Sequence, residues 1–83
     1  MKTVMIALLA AVAFASPALA QEKFSAEQQA QQHCPKDTVV WLNIPSGIYH
    51  MKGMRWYGAT KNGAYVCQHE ADKAGDRKTR NGE

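Results

Sequence analysis

The sequence reads as a small α+β domain: an antiparallel sheet of about three strands with one C-terminal helix, preceded by a polar N-terminal arm. Short β-branched and aromatic runs recur between turns that carry Gly or Pro. A stretch of good helix formers, residues 68–74, runs into Gly75. Ahead of both lies a polar, Gln-rich stretch, residues 21–33.

The first residues stand apart from that domain. Met1-Lys2-Thr3 is a short positive start, and residues 4–14 form an unbroken apolar run. Ser16-Pro17 breaks a helix, and Ala18-Leu19-Ala20 has the small-x-small pattern of a signal-peptidase site. Residues 1–20 are therefore expected to be a signal peptide cleaved at Ala20/Gln21, leaving a periplasmic or extracellular protein. The run is shorter than the roughly twenty apolar residues of a membrane-spanning helix, so no membrane span is expected after cleavage. No Cys follows Ala20, so the sequence gives no sign of a lipid anchor.

In residues 21–35, Ser25 and Gln28 have capping-box spacing, and residues 26–32 favour a helix. With almost no apolar stripe, such a helix is expected to be a loosely attached arm. Pro35 ends it. The small domain is expected over residues 36–77. Thr38-Val39-Val40-Trp41-Leu42-Asn43 is its strongest strand signal, Pro45-Ser46-Gly47 a turn, and Ile48-Tyr49-His50 the returning strand. Arg55-Trp56-Tyr57-Gly58 is a further aromatic patch. Asn62-Gly63 is a pair favoured in turns with positive φ, and Ala64-Tyr65-Val66-Cys67 is the last strand. Gly75 is expected as a left-handed C-cap, and residues 78–83 as a flexible charged tail.

The totals limit the function classes. The net charge of +3 includes Lys2, so the mature domain is only mildly basic, too weak a bias to argue for nucleic acid or an anionic membrane. Without the signal the chain has about sixty residues, near the size at which a core needs a staple. Its two cysteines, Cys34 and Cys67, are most simply a disulfide in an oxidising compartment.

The stretch from Ser46 to Arg77 carries a resemblance. Its residues are Ser46-Gly47-Ile48-Tyr49-His50, Gly53, Arg55-Trp56-Tyr57-Gly58, Thr60-Lys61, Gly63, Tyr65, Ala71 and Ala74-Gly75-x-Arg77. It resembles a group of short exported bacterial proteins without an assigned activity. More distantly, it is similar to the zinc-binding N-terminal domain of the alkylation-repair protein Ada. That domain takes cysteine ligands from the region matching residues 53–57 and from a Pro-Cys-x-x-Cys after the Ala-Gly-x-Arg. Here residues 53–57 hold no Cys, and Lys78-Thr79-Arg80-Asn81 follows Arg77. The resemblance thus implies a scaffold without the zinc site or its chemistry, in which the disulfide replaces the metal as staple.

Few residues are candidates for chemistry. Cys67, at a strand-to-helix junction, would have a stabilised thiolate if free. His33, Cys34, Cys67 and His69 would form a two-Cys, two-His metal set if the cysteines met unoxidised, although their spacing is unlike that of zinc fingers. His50 has Arg55 and Lys61 as anion-stabilising neighbours, but no carboxylate pair or other catalytic pattern accompanies it. Trp41, Tyr49 and Tyr65 are expected to fill the core. Lys52, Arg55, Trp56, Tyr57 and Lys61 could form a basic aromatic face for single-stranded nucleic acid or glycan. Trp56 and Tyr57 are adjacent and would point oppositely on a strand, so one of them is expected to be exposed for contact. The reading is an exported, disulfide-stapled, non-enzymatic binding or envelope-associated module, with no catalytic residue and no cofactor. Metal binding through Cys34, Cys67 and His69 is one alternative, and a nucleic-acid-binding or nuclease-accessory role the other.

Overall fold

The computed structural model describes residues 21–80, so the expected signal peptide and residues 81–83 of the expected tail lie outside the described residues. β-Branched and aromatic residues build three strands, β1 (Val39–Asn43), β2 (Ile48–His50) and β3 (Gly63–Cys67). β1 lies between the other two and is antiparallel to both. Its register sets Trp41 opposite His50 on one side and Tyr65 on the other.

The expected three-stranded antiparallel sheet with a single C-terminal helix is corrected in three respects. A fourth strand, β4 (Arg77–Lys78), pairs parallel to β2, so the sheet is mixed and runs β3-β1-β2-β4. A second helix, α1 (Glu27–His33), precedes the sheet, in addition to α2 (Gln68–Lys73) between β3 and β4. β4 is held by backbone: the Arg77 amide donates to the Gly47 carbonyl and that of Thr79 to Tyr49, while both strand side chains are exposed. A pair so short, charged and outward-facing leaves no period-2 apolar trace to read.

α1 is also bound more firmly than a loose arm. Its one buried residue, Ala30, is fully covered, and Cys34 at its C-cap is bonded to Cys67 of β3. Ahead of it, Phe24 exchanges both backbone hydrogen bonds with Tyr65, extending the sheet beyond β3. The capping box does not form: Ala26 is the N-cap, without a side-chain hydrogen bond.

Alternation along the strands separates two faces. Val40, Leu42, Tyr49 and Val66 point to one face and pack with Ala71 of α2 and the half-buried Met51. α2 receives its cap from a distance, since the Asp37 carboxylate accepts from the His69 backbone N–H at 2.9 Å. At its other end, the amides of Gly75 and Asp76 donate to the carbonyls of Asp72 and Ala71, a Schellman closure. Gly75 takes φ +93° there, the left-handed conformation its position demands.

Val39, Trp41, His50, Tyr65 and Cys67 belong to the opposite face, which takes α1 through the disulfide and the segment 51–62 through its aromatic residues. Trp41 meets Tyr65 edge-on, with centroids 4.8 Å apart, and its indole Nε1 donates to Thr60 Oγ1 at 2.7 Å. Among the described residues, no helix is long and apolar enough to cross a membrane.

Candidate functional site

Part of the second face is left open. There the sheet forms the floor of a cleft of about 470 Å³, with Asn43, Ile48, His50 and Thr79 contributed by β1, β2 and the residue after β4. The register explains the grouping: Asn43 lies opposite Ile48, and the β2–β4 pairing carries Thr79 alongside His50. Trp56, Thr60 and Lys61 form the wall, from a segment of successive turns that closes through hydrogen bonds such as Ala59 N–H to the Trp56 carbonyl.

His50 is the buried polar residue of this floor. It is 6 % exposed, and its Nδ1 is enclosed without a hydrogen-bond partner. Buried ring nitrogens are ordinarily paired, which sets His50 apart from the other polar residues lining the cleft. Around it the hydroxyls differ in what they still offer. Ser46 Oγ accepts from Asn43 Nδ2 and Ile48 N and donates to the Asn43 carbonyl, so it is satisfied. Thr60 Oγ1 accepts the Trp41 indole N–H and keeps its own hydrogen to give.

The sequence-predicted contact residues divide into two groups. Lys52 and Tyr57 both turn to Glu27 of α1: Lys52 Nζ lies 2.8 Å from Glu27 Oε2, and the Tyr57 hydroxyl donates to Oε1 at 3.0 Å. Tyr57 also packs on Tyr65, with ring centroids 5.5 Å apart. Those bonds, Lys52's first and then Tyr57's, hold the Glu27 carboxyl below its ordinary range. Burial, and after it the bond to Glu27, pushes the Tyr57 hydroxyl well above the usual tyrosine value. Trp56 and Lys61 face the cleft, with the Arg55 guanidinium 5.0 Å over the Trp56 ring. Among the described residues, Lys52 pairs with Glu27 and His33 is hydrogen-bonded to Glu70, while Arg55 and Lys61 have no carboxylate partner. Because the segment turns rather than extends, strand alternation does not separate Trp56 from Tyr57. Trp56 meets the cleft, while Tyr57 ties the segment to α1.

The residues proposed for metal binding are engaged otherwise. Cys34 and Cys67 are joined as a disulfide, which removes both thiolates. His33 Nε2 is hydrogen-bonded to Glu70 Oε2 at 2.8 Å. Ligand atoms gather as His33, Cys67 and Glu70, and as Cys34, Asp37 and Cys67; His69 belongs to neither group. It lines a second hollow with Pro35 and Asp37 beside the disulfide.

Sequence reasoning named His50, Trp56 and Lys61 but missed Asn43, Thr60 and Thr79. These lie on three separate segments; the strand register assembles Asn43 and Thr79, and the hydrogen bond from the Trp41 indole holds Thr60. No family model, curated protein or solved structure matches the chain.

Proposed function

We propose that the protein is an exported, disulfide-stapled binding module and that the cleft over His50 is its binding surface. The observation that carries the reading is an open cleft whose floor includes His50, a buried histidine with an unpartnered Nδ1, beside unpaired cationic and hydroxyl groups. A concave site with an apolar ring wall and a few convergent polar groups is the usual form of a small-molecule pocket. Export rests on the terminal pattern of residues 1–20 and agrees with an oxidised Cys34–Cys67 pair, since such bonds persist outside the cytoplasm. The nucleic-acid reading has less support, because Lys52 and Tyr57, two of its five proposed contacts, are held by Glu27.

Two measurements test the proposal. The intact mass of protein recovered outside the cytoplasm is expected to correspond to a chain beginning at Gln21 and two hydrogens lighter than the dithiol. A mass that retains residues 1–20 would remove the export half. A fragment screen followed by amide NMR is expected to move the resonances of Asn43, His50 and Thr79 together with the Trp56 indole. Responses confined to the hollow at Pro35 and His69 would transfer the binding surface there.

A further inference from the structure

We infer that the cleft over His50 takes a small anion carried on a ring, a phosphate or carboxylate attached to a nucleoside or sugar. This rests on the reading of the cleft as the binding surface and assigns its ligand class. The ionisable side chains that line it are His50 and Lys61, with no carboxylate among the lining groups. Lys61 has no ion-pair partner among the described residues, and neither has Arg55 beside it. Arg77, opposite Ile48 in the β2–β4 pairing and exposed, adds a third cation on the same face of the sheet. An open cleft rimmed by one sign of charge concentrates ligands of the other.

The hydrogen-bonding groups suit the same ligand. Thr60 has its hydroxyl hydrogen to donate, because its oxygen already accepts from Trp41. Thr79 adds a second hydroxyl on the floor. His50 lines the floor beside them. The ring preference comes from Trp56. Its indole stands in the wall as a flat aromatic surface of the kind on which bases and sugars stack, with the Arg55 guanidinium 5.0 Å from the ring centroid. The volume of about 470 Å³ lies within the range of small-molecule sites and admits a mononucleotide or a disaccharide.

The test uses the exported protein with its disulfide intact, labelled with 15N and titrated separately with adenosine 5′-monophosphate, glucuronate, inorganic phosphate and glucose. Adenosine monophosphate or glucuronate is expected to shift the Trp56 indole N–H and the amides of His50 and Thr79, and which of the two binds tells a nucleotide phosphate from an acidic sugar. Lys61→Gln is expected to weaken that binding about tenfold, and Trp56→Ala to weaken it without changing the response to inorganic phosphate. Glucose binding as tightly as the anions, or Lys61→Gln binding undiminished, would overturn the anion while leaving the cleft as the binding surface. Inorganic phosphate binding as well as the nucleotide would overturn the ring. Cleft resonances that none of the four probes moves at millimolar concentration would overturn this inference, and the fragment screen then decides separately whether the cleft is a binding surface.

Discussion

Gly63 opens β3 where the Trp41 ring crosses it, and a Cβ built there would lie 2.3 Å from an indole carbon. Its backbone is not left-handed, so the Asn62-Gly63 pair serves a different purpose from the positive-φ turn that the dipeptide suggests. What the position requires is empty space, and that requirement comes from a residue twenty-two places earlier. Gly63→Ala is expected to displace the indole, break its hydrogen bond to Thr60, and cost about 1–3 kcal/mol as an overpacked core does. A thermal melt checks this, and an unchanged midpoint would mean that the ring moves aside freely. The same residue scale explains His50. A histidine beside a strand tyrosine is visible in the sequence, but the enclosure of its Nδ1 depends on neighbours supplied by other strands.

Among the elements, legibility follows how each is held. β1, β2 and β3 were readable because side-chain packing stabilises them, and packing leaves a pattern of β-branched and aromatic residues. β4 and the Phe24 bridge were not, since backbone hydrogen bonds at the sheet edges hold them and any residue but Pro can make those. α1 is an intermediate case. Its helix formers were legible, yet with Ala30 as its single buried residue its attachment depends on the disulfide. The double variant Cys34→Ser, Cys67→Ser is therefore expected to lose about 3.5–4 kcal/mol, from the loop-closure entropy of a separation of 33 residues. Hydrogen exchange should show the α1 amides losing protection before those of β1. Uniform loss across both would mean that the helix is held by packing.

For the molecule as a whole, stability should be confined to a window of pH. Tyr57 and Tyr49 both ionise above the ordinary tyrosine value of 10.0 when folded, each chiefly through burial and next through a hydrogen bond to a carboxylate, Glu27 for Tyr57 and Asp72 for Tyr49. The folded state thus keeps protons that the unfolded chain gives up, and their contribution is complete below pH 10.0 and declines as pH rises beyond it. Glu27 has the opposite sign: its folded value is lowered, so its contribution is complete above 4.5 and falls as acid is added. Melting temperatures are expected to be level between those limits and to fall on the alkaline side, with Tyr57→Phe reducing the alkaline decline. A decline of equal steepness in that variant would assign the effect to other groups. Tyr49 was legible as an aromatic core candidate and Tyr57 as a contact residue, but the partners of neither were. Glu27 and Asp72 lie on helices, and only the packing of those helices brings the carboxylates to the phenols.

The disulfide closes the chain between residues 34 and 67 into a ring that contains β1, β2, β3 and the whole segment bearing Trp56 and Lys61. Tension applied between the N-terminal arm and the end of β4 therefore passes from one sulfur to the other and does not run through the ring. About 110 Å of contour is withheld from any pull, at roughly 3.3–3.6 Å per residue. Under load α1, α2 and β4 can peel away, each sacrificing its own contacts, while the three antiparallel strands stay inside a covalent loop. Oxidised, the protein is a short tether with a fixed stop; reduced, it becomes extensible over nearly its whole length.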